Sequence, residues 1–217
     1  ARPPPCPRAC SKSPPPELIL DLASVHAGGV PILGALSFAV RAGETLALTG
    51  PSGIGISTLL RVVAGLHRGY RGSVTGPATQ GRIAMVFQDP NLLPWRSARD
   101  NLTLTTRCTP DQAAHWLGAV GLGDKPDHMP RQLSLGQQRR LALARAFAAG
   151  PRLLLLDEPF VSLDPGLADE MMALFEDLRA THPVTTLLVT HDPREADRLA
   201  DRILRLQGSP ARLAGAA

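Results

Sequence analysis

Residues 45–66 read TLALTGPSGIGISTLLRVVAGL, and the fold turns on how this stretch is read. "TLALTG" is a short apolar strand that stops at a Gly-rich turn, and "STLLRVVAGL" follows as a helix ending near Gly65. The turn lies close to the phosphate-binding pattern Gly-x-x-x-x-Gly-Lys-Ser. Gly50, Gly55 and Ser57 fall in register, but Ile56 stands at the lysine position. Glycines let the backbone curl so that successive N–H groups face an anion, and the helix starting near Ser57 adds the positive end of its dipole. The candidate cradle is Gly50, Pro51, Ser52, Gly53, Gly55, Ile56, Ser57 and Thr58. Ser57 is placed to ligate Mg²⁺ and Thr58 to touch an α-phosphate. Taken alone, the stretch equally fits a strand-to-helix turn with no ligand.

Working outward, apolar runs alternate with helical ones. "LILDLASV" and "GALSFAV" are expected as strands at a sheet edge, and "RIAMVFQD", "RLLLLDEP", "TTLLVTHD" and "RILRL" as further strands. Helices are expected in "PDQAAHWLGAVGL", "LGQQRRLALARAFAAG", "GLADEMMALFEDLRA" and "PREADRLA". Asp164 and Pro165 suit the N-cap and first turn of the third of these. The alternation predicts a mainly parallel sheet with helices on both faces. Ligands of such sheets bind at the carboxyl ends of the strands. The polar residues of "TG", "FQ", "DE" and "TH" all end predicted strands, so they should converge on one edge.

Composition sets bounds on function. The chain has 217 residues, 44% of them apolar, which suffices for a sizeable core. No run approaches the length of a membrane span and no secretory signal is visible, so a soluble, cytoplasmic chain is expected. Residues 1–16, ARPPPCPRACSKSPPP, are expected to be a disordered Pro-rich tail. Arg2, Arg8 and Lys12 lie there with no acid, and account for +3 of the net charge of +4. A basic tail therefore explains the charge better than a nucleic-acid surface, and no nucleic-acid partner is expected. Cys6, Cys10 and Cys108 make no disulfide framework and no zinc site. Lys12 and Lys125 are the only lysines, against 21 arginines, and neither is near the loop in sequence.

Two further segments carry chemistry. "RLLLLDEP" delivers Asp157 and Glu158 to the end of a buried strand, where one can hold Mg²⁺ through water and the other can polarise an attacking water. "QLSLGQQRRLALARAF" places Ser134 and Gly136 at a helix N-terminus with free N–H groups, a second anion-binding feature.

Together the ordered segments resemble the nucleotide-binding subunit of an ABC transporter, from about Leu18 to Leu206. The series is the loop at 50–58, "FQD" with Gln88, "LSLGQ" at 133–137, "LLLLDEP" at 153–159, "SLD" at 162–164 and "THD" with His191. The resemblance implies a P-loop NTPase-type α/β fold: a mainly parallel sheet flanked by helices, an antiparallel β edge, and a small helical lobe at about 89–150. Residues 17–217 would form a single domain. It implies that the loop and Asp157 bind MgATP, with Ser57, Gln88 and Asp157 at the metal. Glu158 would be the general base, His191 a γ-phosphate contact, and Gln88 a monitor of metal and water. Ser134, Gly136 and Gln137 of "LSLGQ", with Asp164, would complete the site of a second nucleotide-binding subunit. An integral membrane permease would ride on closure of that dimer at the cytoplasmic face of the inner membrane, with a solute-binding protein delivering the cargo. "LLPW" at 92–95 is similar to subunits of nitrate, sulfonate and taurine importers, which implies a small anion as cargo. Trp95 is read either as an anchor for the permease or as an aromatic packing the helical lobe.

Three positions depart from the family pattern. Leu135 replaces a glycine in "LSLGQ". His26, in "SVHAGGV", is the sole ring near the place where the family stacks adenine; a surface turn histidine is the other reading. Ile56 removes a lysine that would bridge the β- and γ-phosphates. Losing one or two charge-assisted hydrogen bonds, each worth roughly 1.5–3 kcal/mol, costs on the order of tenfold to ten-thousandfold in affinity. Arg61, five residues into the helix, is not expected to substitute. The sequence therefore predicts an ATPase design with impaired hydrolysis, or a non-hydrolysing partner in a heterodimeric transporter.

Overall fold

The computed structural model describes residues 15–215. In chain order the strands are β1 (Pro16–Ala27), β2 (Val30–Leu33), β3 (Leu36–Arg41), β4 (Thr45–Thr49), β5 (Tyr70–Thr75), β6 (Ile83–Val86), β7 (Leu153–Asp157), β8 (Thr185–Val189), β9 (Arg202–Gln207) and β10 (Arg212–Leu213). The helices are α1 (Ile56–Val63), α2 (Ala98–Thr106), α3 (Pro110–Ala119), α4 (Leu135–Ala148), α5 (Pro165–Thr181) and α6 (Pro193–Leu199). The tail expected over 1–16, with Cys6 and Cys10, lies outside the described residues up to position 14. Pro16 already opens β1, where Glu17 is buried and ion-paired with Arg152.

Two sheets form the frame. One has the order β10-β9-β4-β8-β7-β6 and is parallel except for β10. The other is antiparallel, with β1 pairing β2, β3 and β5. The expected parallel sheet with an antiparallel edge is thus present, and β2, β5 and β10 are additions to it. Their sequences, "VPIL", "YRGSVT" and "RL", are short, mostly exposed and weakly apolar, so they carry little periodic signal.

The unbroken apolar runs of β4, β7 and β8 have a direct cause: each strand is buried on both faces. Leu153 and Leu155 point into one core, packed under α1 and the antiparallel sheet, and Leu154 and Leu156 into the other, packed under α4 and α5. Leu46 and Leu48 alternate with Ala47 in the same way, as Leu187 and Val189 do with Leu188. A one-residue slip in register would exchange the two cores, so the pairing Leu155↔Leu187 is strongly specified.

Helices α2, α3 and α4 pack on one another as a small helical lobe. Helix α2 lies outside the stretches expected as helix. Its signal is Ser97, whose hydroxyl accepts from the Asp100 N–H at 3.1 Å and caps the helix. Strand β6 is shorter than "RIAMVFQD" suggests. Its ladder to β7 ends at Val86↔Leu156, after which the chain leaves the sheet toward Pro90. Among the described residues no helix is long and apolar enough to cross a membrane.

Candidate functional site

The parallel register brings the carboxyl ends of β4, β7 and β8 side by side: Leu48 pairs with Val189, and Asp157 with Val189. The turn after β4 leads into α1 through Gly55, whose φ of 104° and close approach to Leu33 (3.0 Å for an added Cβ) require glycine. Among the described α-helices, α1 alone has no side-chain cap on its N-terminus; Ser97, Thr109, Ser134, Asp164 and Asp192 cap the other five. Its first-turn N–H groups are left for an anion.

These elements enclose a cavity of about 180 Å³ lined by the whole of 50–58 together with Glu158, Val189, Thr190 and His191. The expected cradle residues Gly50, Pro51, Ser52, Gly53, Gly55, Ile56, Ser57 and Thr58 are therefore all brought together with the expected base and the expected phosphate contact. Asp157 sits behind the cavity, buried, with its Oδ1 accepting from Ser57 Oγ at 2.8 Å. Burial pushes the Asp157 carboxyl above its ordinary value. The Ser57 hydrogen bond pulls it back, neighbouring Glu158 raises it further, and the charge of Arg61 lowers it. Glu158 leaves the strand in the left-handed region, φ 49°, with its N–H donating to Val189 O at 3.0 Å. Its Oε1 lies 3.4 Å from His191 Nδ1.

Ile56 is 7% exposed and belongs to the apolar core beneath the loop. Its Cδ1 lies so near Gly50 that an added Cβ there would sit 3.2 Å from it. The side chain thus folds back under the turn and leaves no cation over the cradle. Arg61 is exposed on α1 and does not line the cavity.

Gln88, Ser134, Gly136, Gln137 and Asp164 stand elsewhere. Gln88 is exposed, beyond the end of β6, and does not line the cavity. Ser134, Gly136 and Gln137 line a separate cavity of about 280 Å³ with Arg140 and Leu167. The N–H groups there are only partly free: Ser134 and Gln137 form a capping box, each accepting from the other's N–H, at 3.3 and 3.0 Å. Asp164 is exposed and caps α5 through the Leu167 N–H at 3.0 Å. Leu135 is half-exposed. His26 is half-buried in β1, outside both cavities, and its N–H donates to Gly69 O. Trp95 is 68% exposed, which overturns the expectation that it packs the lobe. Trp116 does that instead, with ring centroids 6.3 Å from Phe147 and 4.7 Å from His182.

The residues fit Mg²⁺. The ion takes hard oxygen ligands, one or two from the protein and the rest from water and phosphates. Ser57 Oγ and the buried Asp157 carboxylate are such a pair, and among the described residues Asp157 has no cation in contact.

Residues 33–161 match the ABC transporter family. The chain belongs to that family. This ABC cassette is 40% identical over 199 residues to the aliphatic sulfonates import ATP-binding protein SsuB 1 of Pseudomonas syringae pv. syringae, covering 90% of this chain and 83% of that one. It is 45% identical to the protein of the same name from Rhodococcus jostii, covering 81% and 73%. With SsuB 2 of Agrobacterium fabrum the identity is 42%, covering 87% and 76%. Among solved structures, the cassette is similar to a dimeric ATP-binding cassette in a post-hydrolysis state bound to ADP and Pi. The TM-score is 0.77 and the identity 27%, over 90% of this chain and 96% of that one.

Proposed function

We propose that this cassette is the ATP-binding subunit of an ABC importer for aliphatic sulfonates or a closely related small anion. It would couple MgATP binding and hydrolysis to transport through a separate permease, with hydrolysis impaired by Ile56. The observation that carries the reading is the single cavity shared by the 50–58 cradle, Glu158 and His191. The first-turn N–H groups of α1 bind the phosphates, and Ser57 and Asp157 hold the metal. Held there, Mg²⁺ would supply positive charge against that developing on the phosphates. Glu158 accepts the proton of the attacking water, and His191, in reach of the same carboxylate, orients toward the terminal phosphate. Gln88 reaches this water only after the 87–90 loop moves. The Ser134 element serves the site of a second subunit, since it lines a cavity of its own, and Asp164 serves it too, capping the turn that carries Leu167, a wall of that cavity. The half-exposed Leu135 and the exposed Trp95 are surfaces for partners: the second cassette and the permease, respectively. A solute-binding protein would supply the cargo. The chain would then work at the cytoplasmic face of the inner membrane, held there by the permease.

A second reading is favoured by Ile56 itself, buried under the loop where a cation is needed. On that reading the cassette is a weakly binding, non-hydrolysing partner in a heterodimer, lending its Ser134 element to a subunit that keeps its lysine.

The deciding experiment is MgATP hydrolysis by the purified chain beside Ile56→Lys. Turnover in the variant alone is expected, with nucleotide affinity raised on the order of tenfold or more. Equal rates would mean that another group supplies the charge and that the account of Ile56 is wrong. A heterodimer with a lysine-bearing partner that hydrolyses no faster than this chain alone would sink the second reading.

A further inference from the structure

Helix α4 carries more than the Ser134 element at its start. Two of its arginines reach the loops on either side of the catalytic edge. Arg145 donates from Nη1 to Asn91 O at 2.8 Å and from Nη2 to Pro90 O at 3.0 Å, gripping the loop that follows Gln88. Arg139, six residues nearer the N-terminus, donates from Nη1 to Pro159 O at 3.2 Å, the carbonyl of the residue that follows Glu158.

Arg139 is the unusual one. It is 7% exposed, wedged among Phe87, Pro90, Pro159, Phe160 and Met171. Its Nε is buried and has no hydrogen-bond partner among the described residues. No carboxylate is in contact with it; Asp89 and Glu195 act only from a distance, and they oppose the effect of burial on its charge. Burying an unneutralised guanidinium with an unspent donor is unfavourable, and an apolar side chain of similar length would fill the space at lower cost. The donor would gain a partner if a loop beside it moved. Of the two distant carboxylates, Asp89 acts on Arg139 more strongly. It is exposed, follows Gln88 directly, and lies on the loop whose far end Arg145 already holds.

We propose that Arg139 is a positioning residue of the hydrolytic site: it fixes Pro159, the residue after Glu158, to α4 and takes the Asp89 carboxylate on its Nε when the Gln88 loop closes. In this way a displacement of α4, whose N-terminus carries Ser134, is felt at the base and at the Gln88 loop together. The inference rests on the hydrolytic reading given above, but one of its tests does not.

That test is backbone amide exchange of the full chain, without turnover. Arg139→Met should speed exchange in residues 158–161 while the thermal midpoint stays level or rises, because a buried charge has been removed. Arg139→Lys, which keeps a donor for Pro159 O, should restore slow exchange. In the Ile56→Lys background, Arg139→Met should lower kcat about tenfold with KM little changed. Asp89→Asn should lower it too, and the double variant should be no worse than Arg139→Met alone, since one interaction is lost once. Exchange at 158–161 equal to the parent's overturns the proposal. So does faster exchange throughout the molecule that Arg139→Lys fails to reverse, which would mark a packing role only. Full additivity of the Asp89 and Arg139 effects overturns the closing step. If Ile56→Lys does not hydrolyse ATP, it is the function that fails, and the exchange result still decides the placement of Glu158.

Discussion

Asp157 shows how a single residue can oppose the fold it sits in. Its carboxyl is buried at the end of β7 with one hydroxyl donor, from Ser57, and its raised pKa comes first from burial. An acid whose pKa is higher folded than unfolded contributes stability that is fully present below its unfolded value, about 3.9, and lost as pH rises through the folded value. Above the ordinary carboxylate range this group therefore costs the folded protein stability. Asp157→Asn keeps the size and removes the charge, so it should raise the thermal midpoint at pH 7, by about 2–4 °C for each kcal/mol recovered. The gain should vanish below about pH 4, where the parent is protonated in both states. Thermal unfolding at several pH values checks this, and a gain equally large at acid pH would contradict it. Addition of Mg²⁺ with nucleotide should stabilise the parent and not the variant. Ile56 belongs at the same scale. Packed under Gly50, its side chain serves the apolar core at the position where the phosphate-binding pattern has lysine.

Elements explain which of these residues meet. Helix α4 begins with a reciprocal cap between Ser134 and Gln137, so Ser134 has a structural role besides the partner-facing one proposed for it. Ser134→Ala should cost roughly 0.5–2 kcal/mol of stability through the cap, measured by denaturant unfolding of the isolated chain. Ser134→Asp, which also caps, should restore that stability while placing a like charge against a partner's phosphates, so any loss of paired function would separate the two roles. The elements that carry the site are legible in the sequence for physical reasons. Strands β4, β7 and β8 are buried on both faces, and such strands read as continuous apolar runs that end where polar chemistry starts. Asp164 and Pro165 announce the start of α5 by cap chemistry, and the structure has that cap. What the sequence hides is built from weak signals: β2 and β5 lie at the exposed edge, and α2 depends on one serine cap. Arg139 gives no signal, because an arginine in "QQRR" looks like an exposed helical charge. Its burial follows only from how α4 lies against the Pro159 and Pro90 loops. Gln88 does follow a strand, but the strand ends earlier than its apolar run, so the side chain stands clear of the cavity.

At the scale of the whole molecule, the two halves of the expected chemistry do not meet within one chain. The cavity of Gly50–Thr58, Glu158 and His191 shares no lining residue with that of Ser134, Gly136 and Gln137. The first cavity is open to solvent on one side. Two chains set face to face would supply the missing walls to each other, and symmetry would make two such sites at once. Nucleotide then becomes part of the interface, so anything that strengthens its hold on the cradle should strengthen the dimer twice over. Restoring one charge-assisted hydrogen bond of about 1.5 kcal/mol at each of two sites should tighten MgATP-dependent dimerisation on the order of 100-fold. The measurement is size-exclusion with light scattering on a chain carrying Ile56→Lys and Glu158→Gln, the second change removing the proton acceptor so that ATP persists. With MgATP this chain should run as a dimer and with ADP as a monomer, while the parent, with Ile56 under its loop, should stay monomeric in both. Adding Ser134→Arg to the first chain should return it to the monomer by filling the second cavity. A dimer that forms without nucleotide, or that survives Ser134→Arg, would mean that the chains associate through a different face and that the Ser134 cavity does not complete the site.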